Sequence, residues 1–445
     1  MKSKISFVCQ ECGYDTPQWL GKCPECGMWN SLREFQTKRS NIKDQSHSSN
    51  VKITQPKTLG EITSKEKDRM TTGFSEADGV FGGGIVPGSV TLLAGDPGVG
   101  KSTLLLQLAL NLSNKSNKTN WSHVLYISAE ESEEQVKLRA QRIASKMKDS
   151  GLLLLSLTDT DAVVSVIEKT KPSLVIIDSI QTMESENLSG LSGSVGQVRY
   201  GCSQFVKVAK TNRIPIILVG HVTKEGMVAG PMVLSHMVDT VLFLEGEKTT
   251  QTRILRSLKN RFGPVDEVGV FFMDQGGMIE AKNPEQIFLT QNKKNAPGSV
   301  LTVILEGSRS FLVEVQALAV FSKLPIPRRV VSGIDSRRVE LLLAVLQKHC
   351  RLSVDTMDIF VNVAGGIKIS DPAADVAVCL AVFSSLKNIS LGDRVGIGEV
   401  GLLGELRGVG LLEKRVKEAK KLGFKHILSP DTHSLLKDVL ESVGK

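Results

Sequence analysis

Hydrophobic residues in this 445-residue chain fall into short, near-continuous runs separated by stretches with helical spacing. Runs at 89–94, 123–128, 152–155, 174–178, 214–219 and 240–244 predict strands buried on both faces, as a parallel sheet covered by helices requires. Between them, 103–112, 133–147, 161–170 and 196–210 predict helices. Strand alternates with helix, so the stretch reads as an α/β domain around a parallel sheet. The alternation stops near Gln275-Gly276-Gly277. From about residue 283, strands at 299–306 and 311–318 and then helices at 337–349 and 373–384 predict a separate α+β domain. Residues 36–70 are polar and free of Phe, Trp and Tyr, which suits a linker rather than a core. The expected order is a small module at 1–35, a linker at 36–70, the α/β domain at 71–282 and the α+β domain at 283–445. A Ser/Gly stretch at 188–196 predicts a mobile loop.

The seven cysteines are unevenly placed. Cys9, Cys12, Cys23 and Cys26 form C-x2-C-x10-C-x2-C, with Gly13, Gly21, Pro24 and Gly27 supplying the tight turns that two thiolate-bearing knuckles need. This spacing points to a tetrahedral four-thiolate Zn2+ site; a thioredoxin-like redox pair needs a βαβ setting that is missing around it. Cys202, Cys350 and Cys379 lie in apolar or helical stretches and read as small buried hydrophobes. A composition of 41% hydrophobic and 23% charged residues is that of a soluble globular protein. No apolar run approaches the roughly 18 residues of a membrane span, and the N-terminus lacks a signal-like apolar stretch, so a cytoplasmic protein without a membrane partner is expected. The formal net charge of +8 fits a polyanionic partner.

The run Gly95-Asp96-Pro97-Gly98-Val99-Gly100-Lys101-Ser102-Thr103 satisfies G-x-x-x-x-G-K-[ST] between an expected strand and an expected helix. Its glycines let backbone N–H groups turn inward around phosphate oxygens. Lys101 reaches the β/γ-phosphates, and Ser102 ligates Mg2+ at a helix N-terminus whose dipole favours anions. Asp178 ends the run Leu174-Val175-Ile176-Ile177, where a carboxylate beside the P-loop holds the same Mg2+. A further strand runs into Glu130-Glu131. A Glu there either orients or deprotonates an attacking water or serves as a helix N-terminal acid, and spacing alone leaves this open. Leu258-Lys259-Asn260-Arg261-Phe262-Gly263-Pro264 places two cations around a short polar turn. A solvated hairpin, a phosphate sensor on a neighbour's nucleotide and a DNA contact are all compatible with it.

Together these motifs resemble the RadA (Sms) family of bacterial DNA repair proteins, which are RecA-type ATPases. The specific pieces are the knuckle with Trp19-Leu20-Gly21-Lys22-Cys23-Pro24, the P-loop, His221-Val222-Thr223-Lys224-Glu225-Gly226, and above all Lys259-Asn260-Arg261-Phe262-Gly263. The resemblance implies a RecA-like core in a hexameric ring with ATP, Mg2+ and Zn2+ as cofactors. It implies ATP-driven branch migration or unwinding on single-stranded and branched DNA, alongside the RecA recombinase. Carried over, Glu130 matches the catalytic glutamate, His221 and Lys224 a γ-phosphate sensor leading into a DNA-facing loop at 222–235, and Lys259 and Arg261 a trans-acting element. The last third resembles the Lon protease domain, but Ala373 stands in the place of the nucleophilic serine and Glu413 in that of the lysine, with Lys414 one residue on. A peptidase is therefore not expected, and the basic Arg328, Arg329, Arg337 and Arg338 are candidate duplex contacts. The competing readings are a RecA-fold ATP-dependent protease and a RecA-fold signalling ATPase.

Overall fold

The computed structural model describes residues 5–9, 14–25, 27–36, 58, 69–116, 123–143, 151–188, 190–221, 231–246, 251–281 and 296–444. They belong to two units, Met1–Glu280 and Ala281–Lys445. The first opens with a small antiparallel sheet of β1 (Ile5–Cys9), β2 (Asp15–Thr16) and β3 (Leu32–Gln36) in the order β2-β1-β3. Among the described residues its hydrophobic core is Cys9, Cys23 and Leu32, with Phe7, Tyr14 and Leu20 packed against them.

The rest of this unit is built on one nine-stranded sheet. Its elements in chain order are α1 (Ser75–Phe81), β4 (Val90–Gly95), α2 (Lys101–Ser116), β5 (Val124–Ser128), α3 (Glu133–Ile143), β6 (Leu152–Ser156), α4 (Thr160–Thr170), β7 (Leu174–Asp178), α5 (Val195–Asn212), β8 (Ile216–Val219), α6 (Pro231–Met237), β9 (Thr240–Glu245), β10 (Thr252–Asn260), β11 (Val268–Asp274) and β12 (Gly277–Glu280). Strand order is β12-β11-β10-β9-β4-β8-β7-β5-β6. From β9 to β6 the strands are parallel, as the alternation of strand and helix predicts. Strands β4, β5, β7 and β8 are buried throughout because helices cover both faces. Residues of α1, α2 and α3 supply one core layer, and those of α4, α5 and α6 the other.

Three features depart from the sequence reading. The domain does not end its sheet at β9: β10, β11 and β12 continue it antiparallel, and Gln275-Gly276 is the turn of the last hairpin. Arg69 and Met70, expected in the linker, belong to the core fabric. Met70 exchanges backbone hydrogen bonds with Ile85, and Arg69 donates to the carbonyls of Gly82 and Phe262. The stretch expected to be a mobile loop is fastened by Gln197, whose amide group accepts from Ser185 N and donates to the carbonyls of Ser185, Leu188 and Gly190.

The second unit carries a six-stranded sheet in the order β15-β16-β14-β13-β17-β20, from β13 (Ser299–Glu306), β14 (Arg309–Phe321), β15 (Arg329–Ser332), β16 (Met357–Val363), β17 (Arg394–Gly396) and β20 (His426–Leu428). A two-stranded ribbon of β18 (Glu399–Val400) and β19 (Leu406–Arg407) joins helices α7 (Ser336–Cys350), α8 (Asp375–Lys387), α9 (Leu412–Lys421) and α10 (Leu436–Val443). Helix α8 is apolar all round and is buried from Asp375 to Ser384, as an all-apolar helix must be. Cys202 and Cys379 are buried, as the sequence suggests, whereas Cys350 at the end of α7 is only half-buried. Burial pushes the Cys202 thiol up to about 12 and that of Cys350 to about 11, so neither offers a thiolate near neutrality.

Candidate functional site

Parallel strands deliver their carboxyl ends to one edge of the sheet, and the chain places its candidate chemistry there. The P-loop follows β4 and leads into α2, with Gly95, Asp96, Pro97, Gly98, Val99 and Gly100 preceding Lys101, Ser102 and Thr103 in the first turn. Two of its glycines are obligatory. Gly95 has φ +153° and Gly100 φ +111°; a Cβ on the first would overlap the Leu244 carbonyl, and on the second the Met273 and Met278 methyls. The Lys101 ammonium donates to the carbonyls of Gly95 (2.8 Å) and Asp96 (3.0 Å). Burial lowers its pKa, opposed by the nearby negative charges of Asp178, Asp96 and Glu130.

Asp178 ends β7, buried, and its Oδ2 accepts a 2.7 Å hydrogen bond from the Tyr126 hydroxyl of β5. Tyr126 is itself buried, which raises its pKa well above the ordinary value and keeps it a donor. Glu130 lies just past β5. Its Oε1 accepts from Ser179 Oγ (2.5 Å) and from His221 Nε2 (3.2 Å), His221 standing just past β8. The His221 hydrogen bond is the largest of the effects that lower the Glu130 pKa to about 2. An ionised carboxylate only accepts, so this bond requires the proton on Nε2 of His221. Glu131 turns elsewhere, pairing with Arg139 of α3. The structure therefore brings Lys101, Glu130, Asp178 and His221 together at the carboxyl edge. Tyr126, Ser179 and Gln181, which donates to the His221 carbonyl, join them without any motif in the sequence to announce them.

Lys259 and Arg261 lie at the opposite end. In register, Asn260 faces Thr240, and Thr240 faces Thr91 near the start of β4. Arg261 pairs with Asp239 at 3.5 Å, and the other Asp239 oxygen accepts from Val90 N and from the Lys210 ammonium. Val90 is five residues from Gly95, about 16 Å at about 3.3 Å per strand residue. Lys259 is not a free cation: its ammonium donates to the carbonyls of Ser235 (2.6 Å) and Val238 (2.8 Å) at the end of α6. Residues 222–230, including Lys224 and most of the expected DNA-facing loop, lie outside the described residues; 231–235 begin α6.

In the N-terminal module, Cys9 and Cys23 are buried in one cluster; Cys9 N donates to Tyr14 O and Cys23 N to Met28 O. Cys12 and Cys26 lie outside the described residues. Two thiols from the two C-x2-C pairs, packed together in so small a cluster, fit a four-thiolate metal site. At the P-loop, the Ser102 hydroxyl and the Asp178 carboxylate are the hard oxygen donors that Mg2+ prefers.

In the second unit, Ala373 is fully buried and its N–H donates to Asp371. The cation that meets Asp371 is Arg415, at 2.6 Å, which also donates to the Val303 and Gly410 carbonyls. Lys414 instead donates to the Ser308 carbonyl at the surface, and Ser370 and Glu413 are exposed or partly exposed. Of the four candidate arginines, Arg328 and Arg337 are exposed. Arg329 donates to the Met357 and Val354 carbonyls, and Arg338 pairs with Asp375 and Glu399.

Three protein families match along the chain. Residues 7–34 match the rubredoxin metal-binding domain, 55–227 the AAA domain, and 344–445 the C-terminal proteolytic domain of Lon protease. The DNA repair protein RadA of Bacillus subtilis (strain 168) is 46% identical over 433 residues, covering 96% of this chain and 93% of that protein. RadA of Pseudomonas aeruginosa is 44% identical over 430 residues, covering 96% and 93%. The crystal structure of the RadB recombinase aligns with 48% of this chain and 99% of its own, at 23% identity and a TM-score of 0.37.

Proposed function

Because this chain belongs to the RadA family of bacterial DNA repair proteins, we propose that it is a DNA-stimulated motor that couples ATP hydrolysis to branch migration or unwinding of recombination intermediates, in the cytoplasm and in concert with the RecA recombinase. One observation carries the reading. The residues suited to phosphate, metal and water sit at the carboxyl edge of the sheet, whereas Lys259 and Arg261 sit about 16 Å away at its amino edge. Cations so placed cannot serve the nucleotide of their own protomer. With Lys259 held by the α6 carbonyls, the largely exposed Arg261 is the one that reaches a neighbour's nucleotide or DNA, and a closed ring of copies, hexameric in this proposal, presents it to both.

In hydrolysis, Lys101 binds the β/γ-phosphates and the P-loop N–H groups cradle them. Ser102 and Asp178 would hold Mg2+, which would supply positive charge against the phosphate oxygens. Tyr126 fixes the Asp178 carboxylate by its hydrogen bond. Glu130, which its hydrogen bonds keep ionised, orients the attacking water and accepts its proton. Ser179 and His221 hold it in place. Cys9, Cys12, Cys23 and Cys26 would hold Zn2+, tying the two turns of the N-terminal module. The second unit has no peptidase role: Ala373 offers no nucleophile, and Arg415 engages Asp371.

The test is ATPase rate with and without single-stranded DNA, followed by mixing of variants. DNA should raise the wild-type rate. Arg261→Ala and Lys101→Ala proteins, each inactive alone, should recover part of the rate when mixed, since some mixed interfaces hold one intact pair. No recovery in verified mixed assemblies would exclude a trans role in hydrolysis and leave DNA contact.

A further inference from the structure

Arg253 is the second residue of β10, and its guanidinium is buried although no motif marks it. Its Nε donates to the carbonyl of Val99 at 2.9 Å, and its Nη1 to the carbonyl of Thr252 at 2.8 Å. Val99 lies inside the P-loop. The peptide that joins Val99 to Gly100 is planar and trans, so its C=O and N–H point in opposite directions. Pulling the Val99 carbonyl toward β10 turns the Gly100 N–H the other way, into the concave side of the loop where phosphate oxygens bind. The surroundings hold the arginine in this pose. Gly246 carries no Cβ, and one placed there would overlap Arg253 Cδ. Met273 of β11 and Met278 of β12 close against Gly100, and Gln107 of α2 grips the Met278 backbone through both amide atoms.

We propose that Arg253 is a positioning residue of the nucleotide site: by fixing the Val99 carbonyl it aims the Gly100 N–H at the bound phosphates, and the antiparallel strands β10 to β12 exist in part to hold it there. The proposal rests on the nucleotide-binding reading of the P-loop. A buried guanidinium is costly to desolvate, and burial lowers the Arg253 pKa. A site that keeps one to hold a backbone carbonyl uses it for orientation.

The full-length protein is titrated with the fluorescent analogue mant-ATP in the presence of Mg2+, and steady-state ATPase is measured for the wild type, Arg253→Met, Arg253→Lys and Gly246→Ala. A phosphate contact made in both the ground and transition states supports binding in both, so Arg253→Met should raise KM and the mant-ATP Kd about tenfold or more with kcat changed far less. Arg253→Lys should recover part of the loss. Gly246→Ala, which displaces the guanidinium without removing its charge, should move KM in the same direction as Arg253→Met. Loss of folded protein would have the opposite signature, a lower apparent kcat at unchanged KM, and would overturn the proposal. So would an unchanged KM in Arg253→Met that melts like the wild type. If the wild type itself does not bind mant-ATP, the nucleotide-binding reading fails first, and that result is distinct from either.

Discussion

The carboxyl edge of the nine-stranded sheet and the region around Asp371 and Asp375 in the second unit are built from similar residues used in opposite ways. At the first, Asp178 and Glu130 are held by hydroxyl and imidazole donors, Tyr126, Ser179 and His221, while Lys101 rests on backbone carbonyls. No cation among the described residues forms a salt bridge with Asp178, and Glu130 has only the imidazole of His221. In the second, Asp371 is closed by Arg415 and Asp375 by Arg338, with the carbonyls of Val303 and Gly410 taking further guanidinium donors. Charge that neutral groups orient remains available to a ligand. Charge that an arginine neutralises has become structure, and breaking such a pair leaves a buried ion unpaired.

The comparison separates activity from stability, and the largest test is on activity. Lys101→Ala should reduce ATP hydrolysis by about 10² to 10³ while leaving the melting of the protein nearly unchanged. Glu130→Gln should retain nucleotide but slow turnover by about 10² or more. A Glu130→Gln protein that turns over at the wild-type rate would pass the role to another residue. Arg415→Met should do the reverse: at this 4% exposed side chain it should cost about 3–5 kcal/mol of stability in the second unit, read by calorimetry, and leave the ATPase of the folded fraction intact. Wild-type stability in that variant would show that the Asp371 pair is not structural.

Smaller effects sharpen the same division. Cys9→Ser should lose Zn2+ by elemental analysis and disorder the N-terminal module, with nucleotide binding retained. Metal-replete wild type without zinc would refute the assignment. His221→Ala removes the main hydrogen bond that lowers the Glu130 carboxyl to about 2, so carbon NMR should find that carboxyl moved up toward 4.5. A native pKa below that of the unfolded chain stabilises the fold above about pH 4.5, and that contribution is lost as pH falls toward 2; His221→Ala should shrink it. An unmoved carboxyl would assign the shift to Ser179 and Lys101.

Much of this was legible in the chain because it depends on local rules. The runs at 174–178 and 299–306 coincide with β7 and β13, and the P-loop with its glycines follows from the backbone conformations that phosphate binding demands. Near-continuous apolar runs identify strands covered on both faces whatever surrounds them. Strand β10 escaped for a physical reason: its buried face mixes Arg253 and Ser257 with Leu255, and its outer face mixes Ile254 and a 60% exposed Leu258 with Thr252 and Arg256, so apolar and polar positions do not alternate as in a half-buried strand. Only the assembled sheet brings the Val99 carbonyl to the buried Arg253. The same holds for adjacent glutamates: sequence offers Glu130 and Glu131 alike, and only the folded chain turns one to His221 and the other to Arg139. The chain by itself determined the elements and the phosphate cradle, which are set by backbone geometry and hydrophobic period. Which charges stay open to chemistry and which are closed by an arginine was decided by tertiary structure, because that depends on partners far apart in the chain, as Arg253 and Val99 are by 154 residues.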